Sequence, residues 1–241
     1  MTLRNAVFRG LLAATFLAAP LAANAHDSYF EKRFGDWALV NGHAGGSDDS
    51  YEPESVANAA AHGADGSSVE IETVAKMDYT AFVPAEDAAV ITATFLSGFW
   101  TKDSDGNWHN KPKSEVENAE RSGEYERYAI AIVGDAETFA PFDLPLEIVP
   151  SANPTHMEPG DKLTVTVLAD GSPLEGVEVG SAYPGIEPVK TAADGTAEVE
   201  LQVGHNILVV SHSVPHSDQT QADRLNHKAS LSFVSHDDHG H

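Results

Sequence analysis

The sequence predicts an all-β protein of two sandwich-like units, the second immunoglobulin-like or transthyretin-like, with at most one short helix. Three observations carry that reading. Apolar and polar residues alternate with the period of two that a half-buried strand requires, turn-forming clusters separate the alternating runs, and the runs in the second half are short and closely spaced. Leu163, Val165 and Val167 alternate with Thr164 and Thr166, while Ala197, Val199, Leu201 and Val203 alternate with Glu198, Glu200 and Gln202.

Residues 1–25 read as a targeting segment rather than as part of the fold. Arg4 and Arg9 form a basic start, Leu11 to Ala19 is a short apolar run, and Ala23-Asn24-Ala25 fits a signal-peptidase site. Cleavage after Ala25 is expected, with export to a bacterial periplasm. No later stretch reaches the ~20 apolar residues needed to cross a bilayer, so an integral membrane protein is not expected.

Residues 26–150 form the expected N-terminal β-rich, metal-binding domain. Alternation recurs at Trp37 to Val40, Val69 to Val74, Tyr79 to Val83, Ala88 to Leu96 and Tyr128 to Val133. Gly42 to Ser68, rich in Gly, Ser, Ala and Asp, reads as a long mobile loop. One short helix is expected near Ser114, where Ser114 and Glu117 match a capping box and Glu117 stands one turn before Arg121; Gly123 limits its length. The prolines and small residues of Ile148 to Pro154 mark the domain boundary.

Residues 151–235 form the C-terminal immunoglobulin-like unit. Pro159-Gly160-Asp161, Asp170-Gly171-Ser172-Pro173 and Asp194-Gly195 punctuate its strands, with further strands at Val177 to Ala182, Asn206 to His212 and Ala229 to Val234. Residues 236–241, His-Asp-Asp-His-Gly-His, form a tail without core-forming side chains; it either gathers cations weakly or merely solvates.

Composition narrows the functional classes. The 241 residues include 14 Lys+Arg against 37 Asp+Glu, a net charge of −23, and no Cys. Disulfide scaffolds, zinc ribbons, iron–sulfur clusters and thiol catalysis are therefore excluded. So acidic a surface repels phosphate backbones, which excludes nucleic acid as a partner and favours a cationic ligand, although acidity also suits a salty habitat.

The 12 His supply the candidate chemistry. As the mature N-terminus, His26 offers an α-amine and a ring nitrogen that can close a chelate on one metal ion. One more imidazole gives the three-nitrogen histidine brace used for copper, and several more suit nickel, cobalt or zinc. Ser28 at the third mature position rules out the common N-terminal copper and nickel tripeptide. His43 follows a strand within Asn41-Gly42-His43-Ala44-Gly45-Gly46, where glycines let the backbone crowd a ligand. His212 and His227 sit at strand ends in phase with apolar residues and serve either as ligands or as satisfied structural His. Asp103-Ser104-Asp105-Gly106-Asn107 departs from a calcium loop, because its Gly is fourth rather than sixth, and reads as a turn. Phe99, Trp100 and Trp108 read as packing aromatics, with Trp108-His109 at the border of a site. No nucleophile-elbow, P-loop, dinucleotide or H-E-x-x-H pattern occurs.

The mature His-Asp start, Gly42-His43 with Gly45-Gly46, Ser97-Gly98-Phe99-Trp100, the Pro-Leu-Glu-Ile-Val-Pro run at 145–150, Pro159-Gly160-Asp161, Gly171 to Val177, Thr191 to Gly195 and Ala229 to Phe233 form one ordered pattern. Across nearly the whole mature chain it resembles exported proteins described as periplasmic components of nickel/cobalt transport systems, a domain family of unknown function. The resemblance implies a metal-binding protein with an N-terminal β domain followed by an immunoglobulin-like one, and it favours His26 and His43 as ligands. The expected function is non-enzymatic: capture of a divalent transition metal, nickel or cobalt ahead of zinc or copper, and delivery to a membrane transporter. The alternatives are a copper histidine-brace redox enzyme and a structural envelope protein with incidental His.

Overall fold

The computed structural model describes residues 26–136 and 139–235, so the targeting segment and the His-rich tail lie outside the described residues. Its first half contains β1 (Asp27–Arg33), β2 (Asp36–Gly42), β3 (Val56–Gly63), β4 (Ser68–Val69), β5 (Ile71–Ala75), β6 (Thr80–Pro84), β7 (Ala88–Asp103), β8 (Trp108–His109) and β9 (Ala119–Ile132). The second contains β10 (Leu146–Pro150), β11 (Lys162–Ala169), β12 (Ser172–Pro173), β13 (Glu178–Ser181), β14 (Val189–Lys190), β15 (Thr196–Glu200), β16 (Gly204–Pro215) and β17 (Arg224–Ser235). Apart from three single 3₁₀ turns the described residues hold no helix, and the fold is all-β and sandwich-like. No helix among them is long and apolar enough to cross a membrane.

A nine-stranded sheet forms the middle layer, in the order β14-β13-β16-β17-β9-β7-β3-β4, with β8 also paired to β7. Strands from both halves of the chain share it, joined where β17 runs parallel to β9 from Arg224 opposite Gly123 to Ser232 opposite Ala131. Side chains alternate across a strand, so β9 serves two cores at once. Tyr128, Ile130 and Ile132 enter one core with Leu163, Val165, Val167, Leu231 and Phe233, against the sheet of β10, β11, β12 and β15. Ala129 and Ala131 enter the other with Phe30, Leu39, Phe82 and Ile91, against the sheet β1-β2-β6-β5. The outcome is three layers, with the long sheet covered on opposite faces.

Two expectations need correction. The segment from Gly42 to Ser68 is not one long loop, because β3 within it pairs with β7. Its Ala-Asn-Ala-Ala-Ala core has weak strand propensity, but small side chains fit beneath the packed layer, where Ala61 is fully buried. The helix near Ser114 is a single 3₁₀ turn, Lys113–Glu115, with no side-chain cap. Ala119 to Ile132, including the Arg121 expected on that helix, is held in the central sheet by pairing with β7, and strand pairing overrides the local capping signal. At the expected domain boundary, Leu146–Pro150 is a buried strand paired with β11.

Candidate metal centre

The site begins with the β1–β2 hairpin. Phe34 and Gly35 both take positive φ, 50° and 93°, the combination a two-residue turn needs to match strand twist. The ladder that follows is without slip, from Arg33 opposite Asp36 to Asp27 opposite Gly42. The next residues outward are His26 and His43, and their rings lie 4.7 Å apart between centroids, tilted by 56°. An unbroken hairpin register thus brings together two imidazoles separated by 17 positions in the chain.

The chain after β2 then folds back over this end of the hairpin. Gly46 N donates to the His43 carbonyl (2.8 Å), His43 N to the Ser47 carbonyl (3.2 Å), and Asp49 N to the Asn41 carbonyl (2.8 Å). Gly42 permits the return, because a Cβ there would stand 2.7 Å from Ser47 O and 2.8 Å from Asp48 Cα. Gly45, at φ 72°, supplies the left-handed residue of the turn. The returning chain places the Asp49 carboxylate 3.0 Å from His26 Nδ1 and the Asp48 carboxylate 2.6 Å from Arg33.

Two cations fix the start of β1. Arg127, buried, donates from Nε to the His26 carbonyl (3.1 Å) and from Nη1 to Ser97 Oγ. Burial pushes the Arg127 guanidinium below its ordinary pKa, while the Asp27 charge opposes this. Asp27, itself buried, pairs with Lys228. Ser230 Oγ donates to the Ser28 carbonyl (2.7 Å). The backbone at residue 26 is therefore anchored while the His26 side chain remains 39% exposed.

His26 opens onto a cleft of about 810 Å³ lined by Asp49, Ser97, Trp100, Trp108, Arg121 and Tyr125 among others. Trp100 and Trp108 are 38% and 42% exposed and line the cleft wall rather than the core, which puts Trp108 at the border of a site. Arg121 stacks over Trp108 at 5.1 Å. No group of three or more His, Asp or Glu side chains among the described residues is gathered closely enough to hold an ion by itself. The pair therefore offers two imidazoles, with Asp49 adjacent to one of them.

The other two sequence candidates meet elsewhere. His212 on β16 and His227 on β17 are direct cross-strand partners. Both strands run further than the alternation indicates, so each His lies inside its strand. On the same face His227 Nδ1 is 2.8 Å from Tyr128 Oη, which donates to Glu126 Oε2 at 2.5 Å. Tyr128, Glu126 and the anchor Arg127 were not legible as site residues, because nothing local links β9 to strands a hundred positions away. Several remaining His have structural partners: His109 meets Asp103 at 2.8 Å, His156 meets Asp135 at 3.1 Å, and His216 meets Glu124 at 2.8 Å. Asp103 also accepts from the Asp105 and Asn107 amides, which confirms the turn expected there.

A family model described as a domain of unknown function, DUF4198, matches residues 23–213 and so includes His26, His43 and His212. No curated protein and no solved structure matches the chain.

Proposed function

The chain belongs to the DUF4198 family, a domain of unknown function, and on that premise we propose that it binds a divalent late first-row transition metal, nickel or cobalt, in the periplasm. In this reading it carries the ion to a membrane transporter and performs no chemistry on it. The observation that supports the reading is the His26–His43 pair, 4.7 Å apart at an anchored strand end. Imidazole nitrogen selects such ions over magnesium and calcium, which prefer oxygen, and the −23 net charge concentrates cations around the molecule. When processing frees residue 26, its α-amine becomes a third nitrogen donor that closes a chelate with Nδ1, and Asp49, whose carboxylate meets that Nδ1 at 3.0 Å, is in place as an oxygen donor once the ion takes the nitrogen.

The nitrogen count supports a second reading. Two imidazoles and an amine make the three-nitrogen set used for copper, and an exposed cleft with two indoles adjoins His26. A copper enzyme would produce peroxide when copper-loaded and supplied with reductant; a carrier would not.

Calorimetric titration of protein beginning at His26, beside a variant with one Ala added before it, tests the site. The added residue preserves every side chain but displaces the amine, and nickel or cobalt should bind it at least tenfold more weakly. Equal affinities remove the amine from the site. No tight binding of nickel, cobalt or copper to the correctly started protein overturns the assignment.

A further inference from the structure

We propose that His212 and His227 form a second metal-binding site, on the opposite face of the central sheet from His26 and His43 and independent of them. The two are directly opposed in an antiparallel ladder, which puts their Cβ atoms about 5 Å apart and their side chains on one face. That face is the one on which Leu208, Val210, Ala229 and Leu231 pack into the C-terminal core, and both His lie beyond the point where this apolar packing ends. His227 remains largely enclosed, its side chain 11% exposed.

The hydrogen-bond chain around His227 determines which nitrogen is free. Tyr128 has one hydroxyl hydrogen, and it is given to Glu126 Oε2 at 2.5 Å. At 2.8 Å the Nδ1 of His227 must then donate to the Tyr128 oxygen, so Nδ1 carries a proton and in the neutral ring the lone pair is on Nε2. The ring is thus held in one tautomer by a tyrosine–carboxylate relay, which is how ligating His are commonly oriented. His212 supplies the second nitrogen. Asp170, on the β11–β12 turn at φ 47°, brings a negative charge to the same end of the sandwich. Two nitrogens suit zinc, nickel or copper, with water completing the shell and the Asp170 charge favouring a cation from a distance.

Zinc titration by calorimetry in full-length protein carrying H26A and H43A tests this, because the first site is then absent and its failure cannot imitate failure of the second. One equivalent of zinc should remain, and adding H212A or H227Q should weaken that equivalent by more than tenfold. The tail His are common to all variants and cancel in the comparison. Y128F removes the acceptor for Nδ1 and should weaken zinc roughly 10- to 100-fold while circular dichroism and melting without zinc stay near those of the parent. It should also release the tautomer, visible in the long-range ¹H–¹⁵N spectrum of His227. Zinc binding that is unchanged by H212A and H227Q, or a His227 protonated at Nε2, overturns the proposal.

Discussion

Arg127 and Lys228 are direct ladder partners on β9 and β17, and between them they hold the first two described residues of the chain: Arg127 through the His26 carbonyl, Lys228 through the Asp27 carboxylate. The two contacts differ in kind. One is a hydrogen bond to backbone, the other compensates a buried charge.

Lys228→Met should therefore destabilise the fold by about 3 kcal/mol, because it strands the Asp27 carboxylate in a buried position. Arg127→Met should leave that ion pair intact but loosen residue 26, weakening nickel or cobalt binding by about tenfold. Urea unfolding and metal titration of both variants separate the effects. Equal stability losses with unchanged metal affinity would remove Arg127 from any positioning role.

Gly42→Ala places a methyl group against the Ser47 carbonyl and the Asp48 backbone. The return segment must shift, and overpacking of this kind costs about 1–3 kcal/mol. Because Asp49 and His43 move with that segment, metal affinity should fall as well. A Gly42→Ala variant with parental melting temperature and affinity would show that the segment is not tightly held.

Ligands of a single ion are strongly coupled. His26→Ala and His43→Ala should each abolish most of the tight binding, and the double variant should lose little more. Additive losses in calorimetry would assign the two rings to separate ions.

His216 gives a pH signature away from both His pairs. Burial alone would lower its pKa, but hydrogen bonds from the ring to Glu124 (2.8 Å) and to the Asp218 carbonyl (2.8 Å), with the charges of Glu124 and Asp218, outweigh it and raise the value. A raised folded value means that the pair stabilises fully below the unfolded pKa of ~6.5 and fades as pH rises through the folded one. Glu124→Gln should therefore destabilise by about 1 kcal/mol more at about pH 5.5 than at about pH 9. Chemical denaturation at the two pH values checks this, and a pH-independent difference would mean that the imidazole is neutral in both.

The strands were legible where one face is apolar and the other polar. Leu163–Val167, Ala197–Val199 and Trp37–Val40 all occupy strands, since period-two patterning records burial on one side. β1 was not read as a strand, because Glu31, Lys32 and Arg33 mask its alternation, and with it went the register that sets His26 opposite His43. Phe34-Gly35 between two strands was the available signal. The pairing of β9 with β17, and hence the Tyr128–His227 contact, has no local trace in the sequence. Such contacts depend on which distant strands share an edge.

That parallel pairing also governs the order of assembly. Gly123 to Ala131 lie beside residues 101 positions later in the chain, so the middle of the long sheet cannot close until Arg224–Ser235 has been synthesised. Until then β9 presents a bare edge of backbone amides and carbonyls, a surface open to mispairing and aggregation. Contacts of such long sequence separation also slow folding. The chain should accordingly fold late and nearly all at once, and a version ending before Arg224 should be recovered as aggregate rather than as a smaller folded unit.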